Sequence, residues 1–204
     1  MSREQFNESW LAEMPERIGA TELIDMLEYN IKDLIKNGAK PEQVGPLQKI
    51  ELSTVVYYWQ TDRDGNIIIA VEFGKKPNTL VVHAVGKRGQ SGKPPFASDL
   101  YLAVLNDRKG DNNAISLSSD DTMSDKGFDI WKRLLQSGHS ISMYDKSAPG
   151  QTHTRINSVE ELASFFKDDD RDFRRYQYIL SEGDGMEIRA QFLTRRTREL
   201  AGLL

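Results

Sequence analysis

Residues 86–95 read Gly-Lys-Arg-Gly-Gln-Ser-Gly-Lys-Pro-Pro, a run that mixes glycines with cations and leads into an apolar segment. Exposed backbone N–H groups of a Gly-rich turn, pointed at by a helix N-terminus, make an anion site. Lys87, Arg88 and Lys93 add the compensating charge that a diphosphate requires, and Gly89 and Gly92 leave the backbone open to approach. The plain alternative is a mobile, soluble connection. A Walker A loop is excluded. Its first glycine would fall at Lys87, and Pro94 stands where the Mg²⁺-binding hydroxyl is needed.

Other chemistries find less support. His83, His139 and His153 sit in separate elements with no ligand spacing between them. The chain has no cysteine, which excludes a disulfide framework, a thiolate metal site and a cysteine nucleophile. It has no G-x-S-x-G elbow. Asp62, Asp64 and Glu72 with Lys75 approach the Asp…Glu-x-Lys set of an Mg²⁺-dependent nuclease. The run Glu-Phe-Gly-Lys, however, turns Lys75 to the wrong side of a strand, so that reading ranks last.

The elements that must position these residues follow from pattern. Apolar residues at 23, 24, 27, 31, 34 and 35 predict a helix over 21–37, with Thr21 as N-cap and Gly38 at its stop. Residues 38–50 are Gly/Pro-punctuated and read as a loop. The β-branched and aromatic runs 53–61, 66–74 and 79–87 predict a three-stranded antiparallel meander, its first turn marked by Asp64-Gly65. A helix is expected over 96–108, with Pro94 and Pro95 at or before its first turn, and a strand over 114–119. Ser124 caps a helix with an apolar face of Phe128, Ile130, Trp131, Leu134 and Leu135, ending at Gly138. A strand over 140–145 and a loop over 146–155 follow. Ser158 and Glu161 have capping-box spacing for a short helix. The acidic run 167–172 reads as a solvated turn and 174–182 as a strand, and 187–204 as an amphipathic basic helix.

The expected fold class is therefore α/β (α+β), a single domain around one central mixed β-sheet, with an N-terminal antiparallel meander followed by alternating helices and strands. The regions divide as 1–52 N-terminal and helical, 53–182 the mixed core, and 183–204 a basic tail helix. The 204 residues carry 27 basic and 31 acidic groups, a net charge of −4, so no overall bias toward nucleic acid is present. A hydrophobic fraction of 38% allows a packed core. No apolar run approaches bilayer length and the start lacks a signal-peptide h-region, so a soluble cytoplasmic protein is expected.

That element order, with Lys-Arg-Gly-Gln-Ser-Gly-Lys directly after the third meander strand, resembles the GNAT superfamily of N-acetyltransferases across roughly residues 53–145. The resemblance implies a site for acyl-coenzyme A, acetyl-CoA above all, held at Val85, Lys87, Arg88, Gly89, Gln90, Gly92 and Lys93. It also implies that a carboxylate on the meander acts as base, and Glu72 is the only acid inside those strands. His83 would line the thioester, a backbone N–H of the third strand would donate to the oxyanion, and Tyr144 would protonate the leaving thiolate. The helix over 124–138 would lie beside the pantetheine arm with Trp131 and Leu134 inward, and Tyr57, Tyr58 and Trp59 would wall the acceptor pocket. The implied function is acyl-CoA-dependent N-acyl transfer to a small-molecule or protein amine.

From the residues alone the face of Glu72 is undecided, and the plainer readings, which weigh more, are a satisfied, partly buried strand histidine for His83 and a core-edge tyrosine for Tyr144. A second reading keeps the fold without catalysis: a binding or assembly protein, for instance viral or accessory, that docks a protein partner through its basic tail helix.

Overall fold

Apolar side chains at helical spacing place Ile24, Leu27 and Ile31 on one stripe of α1 (Ala20–Lys36), and all three are fully buried. The computed structural model describes residues 20–89, 93–109, 116–147, 153–167 and 175–181. Gly38, at φ +96°, ends α1, and the Ala39 N–H closes onto the Leu34 carbonyl at 3.0 Å.

After α1 the chain runs through five antiparallel neighbours: β1 (Glu42–Val44), β2 (Leu47–Glu51), β3 (Val55–Thr61), β4 (Ile67–Lys76) and β5 (Thr79–Lys87). The expected strands are present, but the meander is longer than the pattern predicts. Residues 38–50 are not a loop throughout. They carry β1 and β2, and Gly45, at φ +54°, makes the tight turn between them. The boundary expected at residue 52 thus falls inside a continuous ladder, since β2 pairs with β3.

The remaining elements are α2 (Ala97–Arg108), β6 (Ser116–Ser118), α3 (Asp125–Gln136), β7 (Ile141–Asp145), β8 (His153–Ile156), α4 (Val159–Lys167) and β9 (Tyr176–Leu180). β8 corrects the loop expected over 146–155: its first three residues are exposed and polar, so no apolar alternation announces it. Ser124 caps α3 as expected, accepting from the Gly127 N–H at 3.2 Å. Ser158 accepts from the Glu161 N–H at 3.1 Å, and the Glu161 carboxylate accepts from the Asn157 N–H at 2.8 Å. The basic tail over 183–204 and the acidic residues 168–172 lie outside the described residues.

All nine strands form one mixed sheet in the order β1-β2-β3-β4-β5-β6-β9-β7-β8, with β5 and β6 parallel. α1 covers one face over Ile50, Tyr57, Trp59, Ile67 and Ala70. On the other face α2, α3 and α4 pack over Tyr58, Val71, Phe73, Leu80, Leu117 and Tyr178. Each fully buried aliphatic side chain of α1 contributes about 1.5–3 kcal/mol, so Ile24, Leu27 and Ile31 alone anchor that layer.

The C-terminal end of α2 is tied to the meander by ions. Arg108 donates to the Tyr58 hydroxyl at 3.0 Å and to Glu51 at 2.8 Å, while Tyr58 and Lys49 both donate to Asp107. Among the described residues no helix is long and apolar enough to cross a membrane.

Candidate functional site

Two register shifts decide where the polar side chains of the meander point. The first, at Gln60/Thr61, places Ile67 under α1 and Ile69 on the opposite face. The second falls between Glu72 and Phe73. There Glu72 pairs with Ala84 and Phe73 with Val82, leaving His83 as the extra residue of a β-bulge. The bulge brings His83 back toward Glu72, with Nδ1 and the carboxylate 3.4 Å apart. Gly74 makes room for the ring: a Cβ there would stand 2.3 Å from His83 Cε1 and Nε2. Glu72 and His83, which the sequence offered separately, therefore form one pair.

Their surroundings set the charge. Tyr57 lies directly opposite Glu72 in the β3–β4 register, close enough for the carboxylate to act on its phenol. Burial, with the Glu72 charge beside it, holds the Tyr57 phenol well above its ordinary range, so it stays a donor. The hydrogen bond with Glu72 raises the His83 pKa, and the Asp120 carboxylate reinforces it against the opposing effect of burial. Asp120 follows β6, and burial raises its own pKa. Lys76 is close enough to act on both Asp120 and His83. Asp120 is a residue that sequence reasoning missed, and Tyr57, expected in an acceptor-pocket wall, stands instead beside Glu72. Counting back from the Asp64-Gly65 turn fails to pair Tyr57 with Glu72 because the β3–β4 ladder is shifted.

The backbone beside this pair is open on one side. β6 pairs with β5 only from Thr79↔Ser116 to Val81↔Ser118. The next residue, Ser119, leaves β5 and bonds through its N–H to the Tyr178 carbonyl of β9 at 2.9 Å. Two parallel strands thus part at Val81, and β5 continues from Val82 to Lys87 with β4 as its ladder partner among the described residues.

The other expected site residues are dispersed. Tyr144 is on β7, with β9 and β6 between it and β5, and its ring faces that of His153 at 5.6 Å. Trp59 and Tyr58 are buried in the two opposite cores, so the three adjacent aromatics do not form one wall. Trp131 and Leu134 point inward, Trp131 packing against Tyr101 and Tyr178.

At the loop, Val85 is partly buried against the α2 side, and Gly89 (φ +96°) faces open space. Arg88 turns back under α1, donating to Asp25 at 2.6 Å and to Glu28. Lys87 donates to the Lys93 carbonyl. Gln90 and Gly92 lie outside the described residues.

Chemically, an imidazole beside a buried carboxylate can take up and return a proton. Among the described residues no three histidine or carboxylate groups are gathered so as to hold a metal ion. Asp62 is spent within its own turn, accepting from the Asp64 and Asn66 N–H groups at 2.9 Å. Comparison of the chain with protein-family models, with curated proteins and with solved structures finds no match in any of the three.

Proposed function

We propose that this chain is an acyl-coenzyme A-dependent N-acyltransferase of GNAT-like architecture in which Glu72 and His83 handle the proton. The observation that carries the reading is the parting of β5 from β6 beside the His83 bulge. A thioester lying along the freed edge of β5 would meet backbone donors there, the arrangement that stabilises an oxyanion. An acceptor amine attacking from the α1 side would lose its proton to the Glu72–His83 pair as the N–C bond forms. As the C–S bond breaks, His83 in its protonated form returns a proton to the thiolate. Tyr144 has no part in this scheme, because two strands separate it from the pair. Lys87 and Lys93 are at the loop for the phosphates, whereas Arg88 is committed to Asp25 and Glu28.

That commitment of Arg88 favours a second reading, a non-catalytic binding or assembly module with the same fold. Titration of the folded chain with acetyl-CoA by calorimetry separates the two. Saturable heat, weakened by Gly89→Val at the loop, supports the transferase. No heat at millimolar ligand overturns it and leaves the binding module.

A further inference from the structure

Phe96, the residue before α2, is the meeting point of two cations. The Arg133 guanidinium carbon stands 3.9 Å from the centre of its ring, and Lys87 Nζ stands 5.5 Å from the same centre. Lys87 ends β5 and Arg133 lies in the last turn of α3, so separate elements bring like charges to one aromatic ring. All three side chains are partly buried. Among the described residues neither cation has a carboxylate partner, whereas Arg88, Arg108, Arg175 and Lys146 each do.

Convergence of this kind is unfavourable by itself. Burial, then the Arg133 charge, holds the Lys87 ammonium below its ordinary value. An anion placed between the two reverses the sign of the interaction. Phe96 holds the guanidinium over its ring, and a cation–π contact of this kind leaves the N–H donors free to bond phosphate oxygens in pairs. The start of α2 lies at the same place and receives no side-chain cap from Phe96. A compact dianion matches two cations, and the ring offers an apolar surface to an organic body attached to it.

We propose that Lys87 and Arg133, arranged on Phe96, bind the phosphate or diphosphate group of a small molecule. The site does not require acyl transfer; that reading supplies one candidate ligand, and Arg133 and Phe96 are additions to it. The net charge of −4 argues against a polyanionic nucleic-acid strand as the occupant.

The test titrates the full chain with inorganic pyrophosphate, ADP, acetyl-CoA and a short oligonucleotide at low salt, using Lys87→Gln, Arg133→Gln and, as control, the exposed Lys126→Gln. The expected result is pyrophosphate and ADP binding that Lys87→Gln and Arg133→Gln each weaken by about tenfold or more, with the control unchanged. In the wild-type chain, addition of pyrophosphate shifts the Arg133 Nε–H resonance, a readout that does not depend on a variant folding. Absence of binding and of that shift, or binding that Arg133→Gln leaves intact, overturns the proposal. So does preference for the oligonucleotide over pyrophosphate. Pyrophosphate binding without acetyl-CoA binding keeps this site and removes the transferase. Acetyl-CoA binding indifferent to Arg133→Gln does the reverse.

Discussion

Replacing Gly86 by alanine adds a methyl group where α1 crosses β5. The new Cβ would stand 2.5 Å from the Ile24 nitrogen and 2.6 Å from its Cα, both backbone atoms of a regular helix. Ordinary contact begins at 3.4 Å, and the shortfall requires α1 to retreat by about 0.9 Å as a body. That lifts Ile24, Leu27 and Ile31 from their seats and disturbs the pairing of Arg88 with Asp25 and Glu28. Overpacking of this kind costs about 1–3 kcal/mol, and the backbone clash puts Gly86→Ala at about 2–3. In a chain of this size that lowers Tm by about 5–10 °C. Gly127→Ala provides the contrast. Its Cβ would stand 3.0 Å from Met123 Cγ, a side-chain atom and not a helix backbone, so a small shift accommodates it and the change stays within about 1 kcal/mol of the wild type. Urea denaturation followed by circular dichroism compares the two. A Gly86→Ala chain as stable as the wild type refutes the packing of α1 on β5.

The proton-handling pair and the ionic tie are open to equally direct measurement. Glu72→Gln removes the bond that raises the His83 pKa, so the imidazole resonances should titrate at lower pH than in the wild type. Because the folded pKa lies above the unfolded value, the pair's stabilisation is complete below the unfolded value and fades as pH rises through the folded one; the variant, left with Asp120 alone, shows a weaker dependence. An unchanged titration contradicts the Glu72–His83 contact. Arg108→Leu leaves Glu51 and Asp107 without the guanidinium and costs about 2–4 kcal/mol in urea denaturation, and a loss under 1 contradicts the network.

Local signals made much of the second half and the middle of the meander readable. Asp64-Gly65 announced the β3–β4 hairpin, and Ser124 and Ser158 announced the starts of α3 and α4. β1 and β2 were hidden because Gly45 and Pro46, read as loop punctuation, are the turn of a hairpin with very short strands. The site was harder. Strict alternation cannot show a bulge, and it is the bulge at His83 that turns its ring onto Gly74 and toward Glu72. The partners of Arg88 were beyond reach for another reason. Asp25 and Glu28 are 63 and 60 positions away in the chain, and only the crossing of α1 over β5 brings them together.

The brevity of β6 also shapes how the molecule assembles. From β1 to β5 every ladder joins strands adjacent in sequence, with α1 folding back on them, so this half closes only short loops. The other half must bring β9 in between β6 and β7, a non-local step with a larger entropic cost. Three residues of β6 against β5, and two against β9, are the strand pairing that joins the halves. Strand pairing across the sheet is therefore thinnest along this one line, while the core beneath α2, α3 and α4 runs on continuously under it. Amides in β3 and β4, with a ladder on each side, should exchange with solvent last and those of the three-residue β6 earlier.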